Sequence, residues 1–508
     1  MSFIDWLVLL CTMTLVVLYG VYKGRTTKDI DGYYRSSRQL PWYMVMLSVI
    51  GTQASAVTFL SGPGQAYADG MRFVQYYFGL PLATIVLCIT FIPIFHKLNI
   101  YITNVIMGGI VIIYSISGGA RAVAYTQQLQ LGIIFAGLFL AAYLLIQMMP
   151  EGMGLSQALQ VGDKFGKMNV ITTGFTENGF NWNDRFNIIS GIIGGFFLSL
   201  SYFGTDQSQV GRYLTASTIK QSRLGLIMNG IVKIPMQFFI LLVGVLVFVY
   251  YSYNTSPLYF NELAIQKLKK TAYKEQILTL EKSHQLISDE KKVIVESGRI
   301  HHEDNIESLK KLNVQEEALR TQLKSMIKES GILVENNDTN YVFIRFVMDH
   351  MPHGLIGLLI AVIFLAAWGS IAAALNALSS ATLIDFHKQY IKSDTTSEEE
   401  FRLSRMYTLF WGIFCIVFAQ FATNLGSLIE AVNILGSWFY GVMLGIFLVA
   451  FYFKKVGGNA VFYGAIMGEI CVLSMYACTN IGWLWLNVIG ALAVIGISLV
   501  LQLLLRKR

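Results

Sequence analysis

Charge is the first thing this sequence lacks. Only 14 % of its 508 residues are Asp, Glu, Lys or Arg, against 54 % apolar residues, and the mean hydropathy is +0.54. Soluble domains carry about 25 % charge. So few charges cannot cover a soluble surface of this size. That excludes a cytosolic enzyme, a disordered chain and a secreted disulfide scaffold. Cysteine is scarce as well. Cys11, Cys88, Cys415, Cys471 and Cys478 lie in or beside apolar stretches and form no CxxC metal pair, so they read as small packing residues. A basic leader is missing before the first apolar run, Phe3–Tyr22, which therefore reads as a span and not as a cleavable signal. Catalytic motifs are missing too. Without HExxH, GxSxG or paired intramembrane aspartates the chain reads as a non-enzyme, and without a repeated carbonyl filter it does not read as a channel.

The charge that is present is concentrated. Residues 259–350 hold 14 Lys/Arg and 15 Asp/Glu, which leaves 24 basic and 16 acidic residues in the other 416. The net charge of +7 thus belongs to the apolar part. Lys and Arg gathered in cytoplasmic loops account for it. A nucleic-acid partner would need a clustered basic face; the expected partners are the lipid bilayer and a small solute.

Twelve stretches are long and apolar enough to be candidate spans: near 3–22, 41–61, 73–96, 101–117, 127–149, 186–206, 222–251, 354–386, 403–424, 428–452, 459–478 and 481–505. Loop 23–40 contains Lys23, Arg25, Lys28, Arg35 and Arg38, which places it in the cytoplasm and the N-terminus outside. The basic C-terminus, Arg506–Arg508, also reads as cytoplasmic. Those two ends require an odd number of spans, so the chain reads as one span short between 96 and 118. The expected organisation is a membrane domain over 1–252, an extracytoplasmic insertion over 253–352 and the rest of the membrane domain over 353–508.

The insertion has helical periodicity. Leu263, Tyr273, Ile277, Leu280 and Ile287 fall on a 3/4 spacing, as do Ile306, Leu309, Leu312, Leu319, Leu323 and Met326, with Ser297-Gly298 between the two sets. This predicts an antiparallel helical hairpin with coiled-coil-like packing. It reads as a solvated extramembrane element, with a protein partner docking on 259–330 as the sharper alternative.

Polar residues inside spans are costly and mark function by default. Three stretches stand out. Gly51–Gly64 holds Gln53, Ser55 and Thr58 among glycines. Ser199–Gln207 mixes hydroxyls, a glycine and Asp206 at the end of a span. Ala366–Ser380 is a run of small residues with Ser370 and Asn376. Small residues also allow close helix packing, the alternative for each stretch. Two interrupted spans in matching halves of a chain point to a transporter site, where unwound carbonyls coordinate a cation.

Together with Gly118–Thr126, Tyr202–Leu214 and Gly436–Gly441, these stretches resemble the sodium:solute symporter family. The resemblance covers nearly all the chain outside 259–340. It implies an all-α integral membrane protein with the LeuT-type fold of two inverted five-helix repeats plus flanking helices. The span 41–61 would open the first repeat and 186–206 the second, with the third helix of the first repeat missing. It implies a sodium-coupled symporter of a small organic solute, working by alternating access in the plasma membrane, or the inner membrane of a bacterium, with sodium as coupling ion and no cofactor. Its cation-binding carbonyls match Gly51, Ala54 and Ala366, and one of its two hydroxyls matches Ser370. The chain departs from the family at Gly369, which lacks the other hydroxyl, and at Gln127, where the family has Asp beside the ion. The matching solute cavity is lined by Gln53, Ser55, Thr58, Tyr202, Phe203, Trp438, Phe439 and Tyr440. The segment Ser55–Pro63 looks more like the monocarboxylate, vitamin and iodide branch than the sugar branch. With no fixed cation standing out, a neutral solute stays open. The alternatives are proton coupling through Asp206 or Glu430 and a transporter-like sensor or scaffold that binds without moving its ligand.

Overall fold

The computed structural model describes residues 1–24, 40–53, 56–81, 83, 114–296, 303–331, 338–361, 381–393 and 428–505, with isolated positions between 374 and 414. Nearly everything described is helical. Among the described residues six helices are long and apolar enough to cross a bilayer: within Gln127–Gln147, Ile188–Thr205, Ile219–Tyr253, Val432–Tyr452, Gly458–Cys478 and Leu484–Leu504. Among the described residues the one strand pair is a two-residue ribbon, Phe175–Thr176 against Gly179–Phe180. The gap expected after Asn99-Ile100 lies outside the described residues.

Helix α1 spans Phe3–Gly24. Its first turn is tied down by Asp5, whose buried carboxylate accepts the Ser2 and Gly354 amides at 2.7 and 2.6 Å. The N-terminus therefore shares a face of the molecule with the turn at 352–354. Helices α2 (Trp42–Gln53) and α3 (Ala56–Asp69) follow, then a 3₁₀-wound segment, Gly70–Gly79. The next helix, α4, runs unbroken over Tyr114–Gln147. This differs from the two spans expected at 101–117 and 127–149: residues 118–126, which lie between them, belong to one 34-residue helix.

After the short helix α5 (Leu155–Lys164), α6 runs over Ile188–Thr205 and α7 over Gln207–Leu214. The break between them is real. Asp206 leaves the helical region (φ −74°, ψ 113°) and its carboxylate caps α7, accepting the Ser208 amide at 2.8 Å. Gly191 and Gly195 of α6 let the 3₁₀ segment come within reach: a Cβ at either would meet the carbonyl oxygen of Gln75 or Tyr76 at 2.3 Å. Helix α8, Ile219–Tyr253, starts at a Thr218 cap and packs along α2 and α3. These contacts set α2, α3, α6, α8 and the 3₁₀ segment around one central space.

The insertion is the expected hairpin, with two differences. Its arms are α10 (Lys274–Glu296) and α11 (Glu303–Glu329), preceded by the separate helix α9 (Glu262–Leu268). The single arm read from Leu263 to Ile287 is thus broken at 269–273. There the Thr271 hydroxyl donates to the Leu268 carbonyl and accepts the Tyr273 amide, a local turn that competes with the helix. Ile277, Leu280, Ile287, Ile306, Leu309, Leu312, Leu323 and Met326 are buried between the arms or at the hairpin's foot. Second, the insertion does not stand free up to 352. Val342, Phe343, Phe346 and Val347 of α12 (Val342–His350) belong to the main core and pack on α3. The last helices, α13 (Leu428–Tyr452), α14 (Gly458–Cys478) and α15 (Leu484–Leu505), pack on one another, and α6 lies against α13 and α15.

Candidate functional site

The central space is a cavity of about 320 Å³. Thr52, Gln53 and Thr58 line it from α2 and α3, and Tyr76, Tyr77 and Leu80 from the 3₁₀ segment and the residue after it. Tyr202, Phe203, Asp206 and Gln209 line it from the α6–α7 break. Lys233 of α8 and Asn433 and Tyr440 of α13 also line it. Five residues expected at a solute site therefore converge here: Gln53, Thr58, Tyr202, Phe203 and Tyr440. Ser55 lies outside the described residues.

The other two expected aromatics do not reach the cavity. Trp438 packs edge-on against Tyr476, with ring centroids 5.0 Å apart, and Phe439 is exposed on the outer surface. Successive residues on an α-helix point about 100° apart. Three in a row cannot all face one wall, and Tyr440 is the one that does. Asn433, seven residues earlier, shares its face.

The wall is held by short side-chain bonds. Gln53 donates to Asn229 at 3.2 Å, and Gln209 donates to the Tyr202 hydroxyl at 2.9 Å. Ser201 donates to the Tyr440 carbonyl at 2.6 Å, fixing α6 to α13. Ser208 donates through its hydroxyl to Asp206 at 2.6 Å. Several polar atoms remain uncommitted: the Gln209 carbonyl oxygen, the Asn229 amide nitrogen and both amide atoms of Gln237 have no hydrogen-bond partner among the described residues.

Lys233 was not legible as a site residue from the span pattern. Its side chain is 2 % exposed, lies with its ammonium 5.7 Å from the centroid of the Tyr77 ring, and has no carboxylate within 4 Å among the described residues. A sequence signal did exist. Asn229, Lys233 and Gln237 recur every four residues in an otherwise apolar run, which places them on one stripe of α8. All three are buried.

Of the residues matched to a cation site, Ala54, Ala366, Gly369 and Ser370 lie outside the described residues. Gly51 and Gln127 are described, and they touch. Gln127 is fully buried, accepts the Ser48 hydroxyl at 2.8 Å and donates to the Thr52 hydroxyl at 3.1 Å. The amide thus bridges two polar residues of α2 on either side of Gly51.

Comparison with known proteins places this geometry. The sequence profile of the sodium:solute symporter family matches residues 33–107 and 325–468. The sodium/sialic acid symporter NanT of Aliivibrio fischeri is 22 % identical, over 97 % of this chain and 91 % of its own length. The sodium/sialic acid symporter SiaT of Proteus mirabilis is 23 % identical, over 97 % and 94 %. The sodium/glucose cotransporter of Vibrio parahaemolyticus is 20 % identical, over 92 % and 84 %. A solved structure of a Na⁺-coupled sialic acid symporter in a substrate-bound, outward-open state shares the fold, with TM-score 0.70 and 21 % identity over 99 % of this chain and 98 % of that one. With the spans, the broken α6–α7 helix and the central cavity in place, the chain is similar to the sodium:solute symporter family over those two stretches and shares its fold with that solved symporter.

Proposed function

We propose that this sodium-coupled symporter moves a carboxylated sugar, with sialic acid, the solute in the names of two relatives, as the first candidate. One observation carries the solute class: the Lys233 ammonium stands buried at the cavity wall without a carboxylate partner among the described residues. An uncompensated buried charge costs several kcal/mol. A carboxylate in the cavity offsets that cost; a neutral solute does not. The rest of the wall suits a polyhydroxylated ring. Tyr76, Tyr77, Tyr202 and Tyr440 offer aromatic faces, and Gln53, Asn433, Gln209 and Asp206 offer hydrogen-bond partners for hydroxyls. The volume falls at the lower end of the range of small-molecule pockets, about 300–1,000 Å³.

Sodium is the co-substrate. Its place in this reading is beside Gly51, with the carbonyls of Gly51, Ala54 and Ala366 and the Ser370 hydroxyl as ligands and Gly369 and Gln127 next to them. Sodium bound against α2 favours the state open to the outside, the solute then binds, and both leave on the inner side as the helices rock. The basic loops 23–40 and 387–404 belong to the cytoplasm. The N-terminus and the turn at 352–354, joined through Asp5, then lie outside, with the hairpin 259–330 accessible to a partner, in a plasma or bacterial inner membrane.

Competition for labelled sialic acid uptake tests the solute class. Unlabelled sialic acid competes and its methyl ester does not. Equal competition by the uncharged ester contradicts the role given to Lys233.

A further inference from the structure

A second cavity, of about 740 Å³, lies between the hairpin and the membrane-spanning helices. Two helices connect it to the central one. Thr58 of α3 lines the central cavity and Tyr67 of the same helix lines this one, about 14 Å apart at 1.5 Å per residue. Helix α8 likewise offers Lys233 to the first and Phe248 and Tyr251 to the second.

The charge in the hairpin cavity is unbalanced in a specific way. Five basic residues line it against three acidic ones. The acidic ones are already engaged. Glu316 accepts from Lys291 at 2.5 Å, from Arg320 at 3.2 Å and from Ser256. Asp338 accepts the Phe260 amide at 3.1 Å and lies 3.8 Å from Lys324, which also lies 3.9 Å from Glu317. Lys167 and Lys310 have no carboxylate within 4 Å among the described residues, and Asp69 and Glu317 act on Lys167 only from beyond that distance. Both sit over aromatic rings: Lys167 is 4.7 Å from the Phe248 centroid, and Lys310 is 6.0 Å from that of Phe165. Lys167 is also held by the Ala68 carbonyl at the end of α3. Positioned cations beside aromatic faces are what a ring bearing one carboxylate requires.

We infer that the hairpin cavity is a second solute site, which takes the carboxylate of an acidic sugar on Lys167 and Lys310 before the solute reaches the central cavity. The inference rests on the carboxylated-sugar reading given above. It assigns the insertion a function: the hairpin is the wall that turns an open mouth into a site. Rings such as Tyr67, which contacts Phe248, Tyr251 and Phe260, supply the apolar face.

Equilibrium binding of radiolabelled sialic acid to the full-length protein in sodium-containing nanodiscs tests it. The wild type binds two molecules per chain. The double variant Lys167→Gln/Lys310→Gln keeps one, and Lys233→Gln keeps the other. Lys167→Arg/Lys310→Arg retains two, which separates lost charge from lost fold. A single wild-type site, abolished by Lys233→Gln and untouched by the double variant, overturns the outer site and leaves the central reading standing. No saturable binding to any of these proteins overturns both.

Discussion

A side chain on Gly51 would begin 2.9 Å from Cβ of Gln127, so α2 and α4 meet at this pair with no room for more than a hydrogen. The contact explains why glycine stands at 51 independently of any ion. Gly51→Val forces the helices apart at a cost of about 1–3 kcal/mol. A lowered thermal unfolding temperature, read in detergent, is the expected result.

The family resemblance matches Gln127 to a position where the family has a carboxylate. If sodium binds beside Gly51, Gln127→Asp puts a negative charge near the ion and offsets part of its desolvation. The half-saturating sodium concentration for uptake is then expected to fall. Gln127→Ala instead leaves the Ser48 and Thr52 hydroxyls without their partner, at about 1–3 kcal/mol of stability. An unchanged sodium dependence in Gln127→Asp places the ion elsewhere.

Lys233 separates binding from stability. A hydrogen bond to a charged group contributes about 1.5–3 kcal/mol, so Lys233→Met weakens solute binding about 10- to 100-fold. The same change removes a buried charge that has no counter-charge within 4 Å among the described residues, so the unfolding temperature without solute holds or rises. A variant that loses both binding and stability points to a structural role.

The hairpin carries its own pH dependence. Burial raises the Glu316 carboxyl pKa, but the hydrogen bond from His284 and the charges of Arg320 and Lys291 outweigh it and hold the group well below the usual carboxylate range. A depressed pKa contributes stability that is present above the unfolded value, about 4.3, and lost progressively as pH falls below it. Proteolysis within 262–329 is therefore expected to accelerate below about pH 4 and stay flat between pH 5 and 8. Glu316→Gln strands Lys291 and Arg320 without their counter-charge, at about 3–5 kcal/mol, and brings the same cleavage at neutral pH.

The parts of this fold that sequence pattern predicts are those where one rule acts alone. Apolar runs long enough to span mark α6, α8, α14 and α15, and a heptad-like spacing marks the hairpin core around Ile277, Leu280 and Leu323. The break at Asp206 is legible because a carboxylate, a glycine and hydroxyls crowd one span end. The misses have physical causes. Trp438 and Phe439 look equivalent to Tyr440 in composition, and helical rotation alone separates them. Lys233 is the one charge beyond the first turns of a 35-residue, mostly apolar helix that begins with Lys220 and Arg223, and it is visible only when Asn229 and Gln237 are read with it. The cluster of His284, Lys291, Glu316 and Arg320 brings together residues up to 36 positions apart, which only the pairing of the two arms sets.

The most direct test of the account is uptake of radiolabelled sialic acid into proteoliposomes holding the purified protein. With an inward sodium gradient, the account predicts accumulation above the external concentration, abolished when potassium replaces sodium and reduced at least tenfold at limiting solute by Lys233→Gln. Uptake that proceeds equally without sodium, or saturable binding with no uptake in any gradient, would contradict it.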